Sequence, residues 1–506
     1  MKRALSFAII LIMVFSLAAC KQQQTAAANP TEAPVTPTEV PTEAPVDPTE
    51  PPETTAEPDP TEVPRGTPMP ERIFEDPAEG SPKVIPGENV FFISCPDGSL
   101  YGWGSNEYGQ LGLGDTDERR SPVFIGTGLT PTIVGETVFA MDANGTLWGW
   151  GRNDLGQLGL GDAENRLRPA EIMSSVKQIY KCWGGTYCVL TEAGELYRMG
   201  ADSSGKDTSL VPLLFFDNVE YFDGRECVIT NSGELWLLMG DWTKISDDVG
   251  MVYDVWTGVI EDIEGKLCQL DYESNKTAIC EGVRSVAVAD GAAYILMEDG
   301  SLFLYYADPE HYNVPEENKY RPNYLMNGVA EIMAEYSMGE DWGYDYYFAL
   351  KANGELWARS SFSNALVGKP EGTYNFDFEC VATDVRKVVT NGASTYILKA
   401  NGEIWATGMS GDDYIHGSLG DGTIETRSGF VKLDLYNMVS VTSGFFMKFI
   451  DYDDGTDGVE LYSRTFAVDA DGRIWAWGWN GDGLLGVDSL DEDVLSPMEV
   501  KLAVEN

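Results

Sequence analysis

From residue 89 onward the chain alternates short apolar runs with isolated turn signals, and one phrase keeps returning. Its kernel is an alternating apolar strand, a turn of the Asp-Gly or Asn-Gly kind, and a second strand opening with Leu or Ile and an aromatic. Nine copies are legible: "CPDGSLYGWG", "MDANGTLWGWG", "LTEAGELYRMG", "ITNSGELWLLM", "IEDIEGKLCQL", "LMEDGSLFLYY", "LKANGELWARS", "LKANGEIWATG" and "VDADGRIWAWG". Period-two patterning on both sides of a glycine turn predicts a β-hairpin. The turn glycines are Gly98, Gly145, Gly194, Gly233, Gly265, Gly300, Gly354, Gly402 and Gly472. Such turns need a positive φ, which glycine adopts without a steric penalty. Ahead of most kernels lies another short strand, such as "VKQIYKCWGG"; behind most lies a Pro-marked or apolar one, such as "SPVFIG" or "RPAEIM". Each unit therefore predicts about four short strands in 32 to 70 residues.

A four-stranded sheet of that size buries only part of its apolar face alone and needs a neighbour on either side. Closing the series into a ring supplies both neighbours and leaves no long bare edge. The expected fold is all-β, a single β-propeller of four-stranded blades. Nine units are counted, and seven or eight blades stay open.

The copies are unequal. "LYGWGSNEYGQLGLGD" at 100–115 returns 47 residues later as "LWGWGRNDLGQLGLGD", identical at twelve of sixteen positions. Unit eight keeps "GSLGDG" at 417–422, and unit nine keeps "WGWNGDGLLGVD" at 477–488. This pattern resembles the regulator of chromosome condensation repeat family, whose repeats carry DG-x-[LV]-[YW]-x-WG-x-N-x-x-GQLG-x-G. Units three to seven keep only the hairpin. The resemblance implies a propeller, commonly of seven blades. The expected role of the phrase is structural: glycines turn the chain while Trp and Leu pack between blades.

The ends of the chain are different. Lys2 and Arg3 precede an apolar run at 4–17 that is short for a membrane span and reads as a secretory signal. It closes in "LAAC" at 17–20, which resembles the lipobox of bacterial lipoproteins. That resemblance implies cleavage before Cys20, its diacylation, and a cell-membrane anchor on the extracytoplasmic face, at the cell surface of a Gram-positive bacterium. Residues 21–88 are rich in Pro, Thr, Glu and Ala and nearly lack apolar bulk. Such a segment has nothing to offset the entropy of ordering and predicts an extended, disordered stalk. The expected division is signal 1–20, stalk 21–88 and propeller 89–506.

Charge narrows the partners. The chain carries 81 Asp and Glu against 34 Lys and Arg, a net of −47. That field repels nucleic acid and anionic lipid, so contact with a membrane is expected through the anchor alone. Beyond Cys20 the cysteines are 95, 182, 188, 227, 268, 280 and 380, without a C-x-x-C spacing. They read mainly as small buried hydrophobes, with Cys182 and Cys188 placed to bridge a hairpin.

Catalytic signals are sparse. There are two histidines, His311 and His416, and no G-x-S-x-G. S-x-x-K at Ser174 and Ser203 lacks its companion motifs, and Gly481, Gly483 and Gly486 fall inside the repeat rather than opening a βαβ unit. No cofactor is expected. Asp451, Asp453 and Asp457 in "DYDDGTDG" form a weak Ca²⁺ candidate without the usual loop spacing.

What the repeat leaves unexplained is aromatic. "YYADPEHYNVPEENKYRPNY" at 305–324, "EYSMGEDWGYDYYF" at 335–348 and "FFMKFIDYDDGTDGVELYSRTF" at 445–466 exceed what a ring of near-equal units requires. Long loops in compact domains tend to be functional, and aromatics are enriched at interfaces. The binding candidates are Tyr312, Tyr320, Tyr324, Trp342, Tyr344 and Tyr346. The expectation is a non-catalytic, monomeric module that binds an extracellular protein or an envelope glycan. The alternatives are a glycan-active enzyme using channel carboxylates, or an inhibitor of a wall or β-lactam-processing enzyme.

Overall fold

The computed structural model describes residues 80–502, apart from 183–184, 202–207, 240, 256, 272–273, 290, 310–313, 339–342, 361–364, 369–374, 411–414 and 452–456. The signal, Cys20 and nearly all of the stalk lie outside the described residues.

Nine sheets follow one another along the chain, each with a core of four antiparallel strands, and the last carries a fifth, parallel strand from the last connection of blade 8. The blades span 83–127, 129–173, 176–216, 219–246, 249–281, 283–326, 329–382, 385–432 and 438–500. Nine blades form one propeller, so the higher count holds. The domain boundary needs correction. Lys83–Pro86, assigned to the stalk from sequence, is the first strand of blade 1, paired with Phe91–Ser94. Its Val84 and Ile85 pack into the cores on either side. The four-residue "KVIP" is too short to announce a strand beside so much proline.

Every kernel turn has the same geometry. Each of the nine turn glycines has φ between 74° and 85°. Its N–H donates to the carbonyl three residues earlier, as from Gly98 to Cys95 at 2.9 Å, while the Cys95 N–H donates to the Ser99 carbonyl. This is a type I turn closed by a left-handed glycine, the three-residue hairpin loop, rather than a two-residue turn. The glycine carbonyl in turn often accepts from the first residue of the next blade, as Gly145 does from Val176 at 2.9 Å and Gly354 from Val385 at 2.9 Å. The step between blades repeats too. A left-handed residue precedes the first strand of blades 2 to 9: Gly128, Ser175, Asn218, Asp248, Gly282, Gly328, Asp384 and Asn437.

The cores lie between blades. In blade 1, Phe91 joins the cluster shared with blade 9, whereas Phe92 joins the one shared with blade 2. A second strand is thus buried on both faces, which is why "VFFIS" and "AAYILM" read as continuous apolar runs. Blade 9 closes on blade 1 through side chains. Phe91 lies 5.7 Å from Phe466 between ring centroids, and Trp103 donates its indole N–H to the Leu484 carbonyl at 3.0 Å. Each end blade takes its four-stranded core from its own stretch of chain.

Two expected loops are strands. Val329–Met338 and Gly343–Lys351 form a hairpin in blade 7, and Met438–Asp451 with Asp457–Asp469 form a longer one in blade 9. The third strands pair only from Tyr346 and from Arg464, so both hairpins run past their blades. Aromatic and β-branched residues favour continuation of a pleated ladder. Ile415–His416 from the last connection of blade 8 pairs in parallel with Leu461 and Tyr462 on the blade 9 extension.

Candidate functional site

Strand direction assigns every connection to a face. Because a blade is antiparallel throughout, its first and third connections leave on one face. The second, the kernel turn, leaves on the other with the step to the next blade. First strands of successive blades lie against one another, so they line the axis. The longest segments are all first or third connections: 307–322 in blade 6, 409–426 in blade 8, and the hairpin ends of blades 7 and 9. One face therefore carries them all.

The same face holds a cavity of about 570 Å³, walled by blades 9, 1, 2 and 3. Its polar lining includes Glu88, Glu136, Arg152, Lys181, Tyr187 and Arg464. Arg464 is 3% exposed and ties blade 9 to blade 1. Nη1 donates to the Glu88 carbonyl at 2.8 Å, Nε to the Trp479 carbonyl at 3.1 Å, and Nη2 to the Asp482 carboxylate. Its guanidinium sits 4.7 Å from the Trp479 ring centre and 5.1 Å from that of Phe91. Burial lowers its pKa, with Asp482 opposing. Arg152 is more open. It reaches Asp154 at 2.8 Å and Glu136 at 2.6 Å, and these two hydrogen-bonded partners push its pKa upward. Lys181 is exposed and makes no ion pair among the described residues.

The Glu136 carboxylate is held against the Arg152 guanidinium. No His lines the cavity, and among the described residues no group of His, Cys, Asp or Glu is placed to hold a metal. Of the Ca²⁺ candidates, Asp453 lies outside the described residues; Asp451 and Asp457 face each other in the ladder at the blade 9 hairpin end.

The aromatic candidates separate. Tyr320, in the third connection of blade 6, is 61% exposed, and Tyr324, within the last strand of that blade opposite Phe303, is 59% exposed. Tyr346 is buried at 1%, with its hydroxyl 2.6 Å from Thr390 Oγ1, so it belongs to the blade 7 core rather than to a binding surface. Tyr344 lies in the blade 7 hairpin opposite Ser337, and Tyr312 and Trp342 fall outside the described residues. Of the cysteines, 188, 227, 268 and 280 are buried as expected, while Cys380 is exposed.

The cavity went unread in the sequence, although a signal was present. "GENV" at 87–90 and "GETV" at 135–138 place a Gly-Glu pair at one register ahead of two second strands. Repeats in a ring bring equal registers to the axis.

The repeat phrase is structural in detail. Asn106, 1% exposed, donates through Nδ2 to the Asp115 and Asp117 carbonyls at 3.0 and 3.1 Å and accepts from the Leu111 N–H at 2.8 Å. Asn153 and Asn480 make the equivalent bonds in their own loops. The loop so formed receives the next blade's tryptophan, as Trp150 Nε1 donates to the Gln110 carbonyl at 2.8 Å.

Comparison with known proteins agrees with this architecture. The family model of the regulator of chromosome condensation (RCC1) repeat matches residues 97–134, 144–190 and 471–506. No curated protein matches the chain in sequence. Among solved structures, yeast RCC1 (Prp20) bound to Kap60 is similar at 14% identity and a TM-score of 0.40, covering 87% of this chain and 90% of that one. Prp20p from Saccharomyces cerevisiae is similar at 16% identity and a TM-score of 0.40, with 85% and 90% covered. Human WBSCR16 follows at 15% identity and a TM-score of 0.37, with 82% and 94% covered. The chain is a nine-bladed β-propeller in which three stretches match the regulator of chromosome condensation (RCC1) repeat.

Proposed function

We propose that this protein is a non-catalytic binding module that takes a protein partner on the face bearing the first and third connections. The observation that carries the reading is topological: every oversized segment and the 570 Å³ cavity share that face. A ring of equal blades has no internal need for them. The exposed aromatics Tyr320 and Tyr324 supply rigid contact area, and the mixed charges of the cavity mouth suit polar chain segments. We further propose that the propeller is held at the extracytoplasmic face of a cell membrane by a lipid on Cys20, with residues 21–79 as spacer. The basic start, the apolar run and "LAAC" support that placement.

Affinity capture from envelope and extracellular fractions tests the binding face. Changing Tyr320 and Tyr324 to Ala should weaken retention of the captured protein by about 2 kcal/mol per hot-spot residue, with an unchanged melting temperature. Glu192→Ala, on a kernel turn of the opposite face, should retain the partner in full. Loss in the Glu192 variant instead would move the site to the other face, and release of sugar from a polysaccharide panel would make the protein an enzyme.

A further inference from the structure

Blade 3 holds two cysteines in a position that the binding reading does not use. Cys182 follows the first strand, Val176–Lys181, and Cys188 lies in the second, Tyr187–Thr191. The Cys182 N–H donates to the Thr186 carbonyl at 2.9 Å, so residue 182 stands opposite 186 and diagonal to 188, on one side of the ladder. Their sulfurs are 2.9 Å apart. A disulfide bond is about 2.05 Å long. Cys188 is 3% exposed in the core shared with blade 4, while Cys182 is half-buried at the surface of the same core.

We propose that Cys182 and Cys188 are a redox-active pair that closes a disulfide across the first connection of blade 3. The oxidant is a small-molecule disulfide or a dithiol–disulfide oxidoreductase. The accessible Cys182, as thiolate, attacks one sulfur of that disulfide, forming a mixed disulfide and releasing one thiolate. Cys188 then loses its proton and attacks the Cys182 sulfur, forming the internal bond and releasing the second thiolate. Two thiols become one disulfide, and the reagent takes up two electrons and two protons. The order follows from burial: the hydrogen bond with Cys182 and then desolvation raise the Cys188 pKa, and at 3% exposure no external disulfide reaches it. The closed loop carries Gly185 and Tyr187 on the cavity wall, and Lys181 adjoins it. The bond therefore fixes one side of the channel mouth.

The test uses the full chain, oxidised glutathione, and alkylation after denaturation, with peptide mass mapping. The expected product has residues 182 and 188 linked, two hydrogens lighter, reversed by dithiothreitol. Cys188→Ala should stop at a glutathione adduct on Cys182, the trapped intermediate. Cys182→Ala should leave Cys188 as a thiol that is alkylated only after unfolding. Two free thiols at 182 and 188 after oxidation would overturn the proposal. So would a stable glutathione adduct on Cys182 in the unmodified sequence, because Cys188 would then have failed to resolve it. Both variants keep a small side chain at the mutated site, and circular dichroism confirms that they fold.

Discussion

At the scale of single residues, the repeat phrase is a set of geometric requirements. Asn106, Asn153 and Asn480 have the one side chain that both donates two N–H bonds and accepts one across a tight loop, so Asp or Leu does not substitute. Gly486 adds a steric demand to the conformational one. Its φ is +87°, and a Cβ there would stand 2.7 Å from the indole nitrogen of Trp103 in the next blade. Gly128 has a similar φ of +81° with nothing within 4 Å, which isolates the backbone cost. Gly128→Ala should therefore cost about 1 kcal/mol from the left-handed conformation alone. Gly486→Ala should cost about 3 kcal/mol, since overpacking adds to strain. Urea unfolding of the two variants compares them directly, and equal losses would mean that the Trp103 contact relaxes freely.

At the scale of elements, charges are arranged across strands. Glu403, beside the kernel turn of blade 8, is paired with Lys432 on the outer strand and receives the Trp405 indole N–H at 3.0 Å. Lys432 first, then Trp405, pulls the Glu403 pKa down to about 2. A depressed carboxylate pKa contributes stability in full above its unfolded value of about 4.3, and that contribution fades as the pH falls toward 2. Carbon-detected titration of Glu403 should place its midpoint near 2 in the parent and closer to 4 in Lys432→Ala. An unchanged midpoint in the variant would assign the shift to the indole instead. Acid should act on many blades together, because Asp115, which accepts from the Asp117 N–H, and Asp162, paired with Arg166, are also held low.

At the scale of the whole propeller, closure depends on side chains between blades 9 and 1. Arg464→Ala would leave the Asp482 carboxylate without its guanidinium and two carbonyls without donors. Breaking a buried pair in this way costs about 3–5 kcal/mol. The exposed Arg120–Glu118 pair, at 3.2 Å, is the comparison. Losing it should cost under about 1 kcal/mol. Similar losses for Arg464→Ala and Arg120→Ala would remove the closing role. The corrected boundary makes a second prediction. A chain starting at residue 81 should melt within a degree or two of the full chain. One starting at residue 89 lacks Lys83–Pro86 and should melt several degrees lower in calorimetry. Equal melting would mean that this strand adds nothing to blade 1.

The hairpins were determined locally and so were legible. Alternation around a glycine turn is satisfied within about ten residues, and nine kernels became nine blades. Tyr346 shows where local reading fails. "WGYDYYF" has the composition of an exposed aromatic loop, yet from Gly343 onward the ladder to 329–338 carries on, and Tyr346 and Tyr347 turn into the cores on either side. The short strand at Lys83–Pro86 is likewise stabilised by partners, Phe91–Ser94 and the flanking cores, that its own four residues do not reveal. The cavity is the clearest tertiary decision. Glu88, Glu136, Lys181 and Arg464 are spread over 376 positions of sequence, counted from Glu88 to Arg464; the first three are ordinary polar residues at or beside strand ends, and Arg464 lies within the Asp457–Asp469 strand. Only closure of the ring brings strand ends of equal register to one axis, because each blade repeats the direction of the one before it.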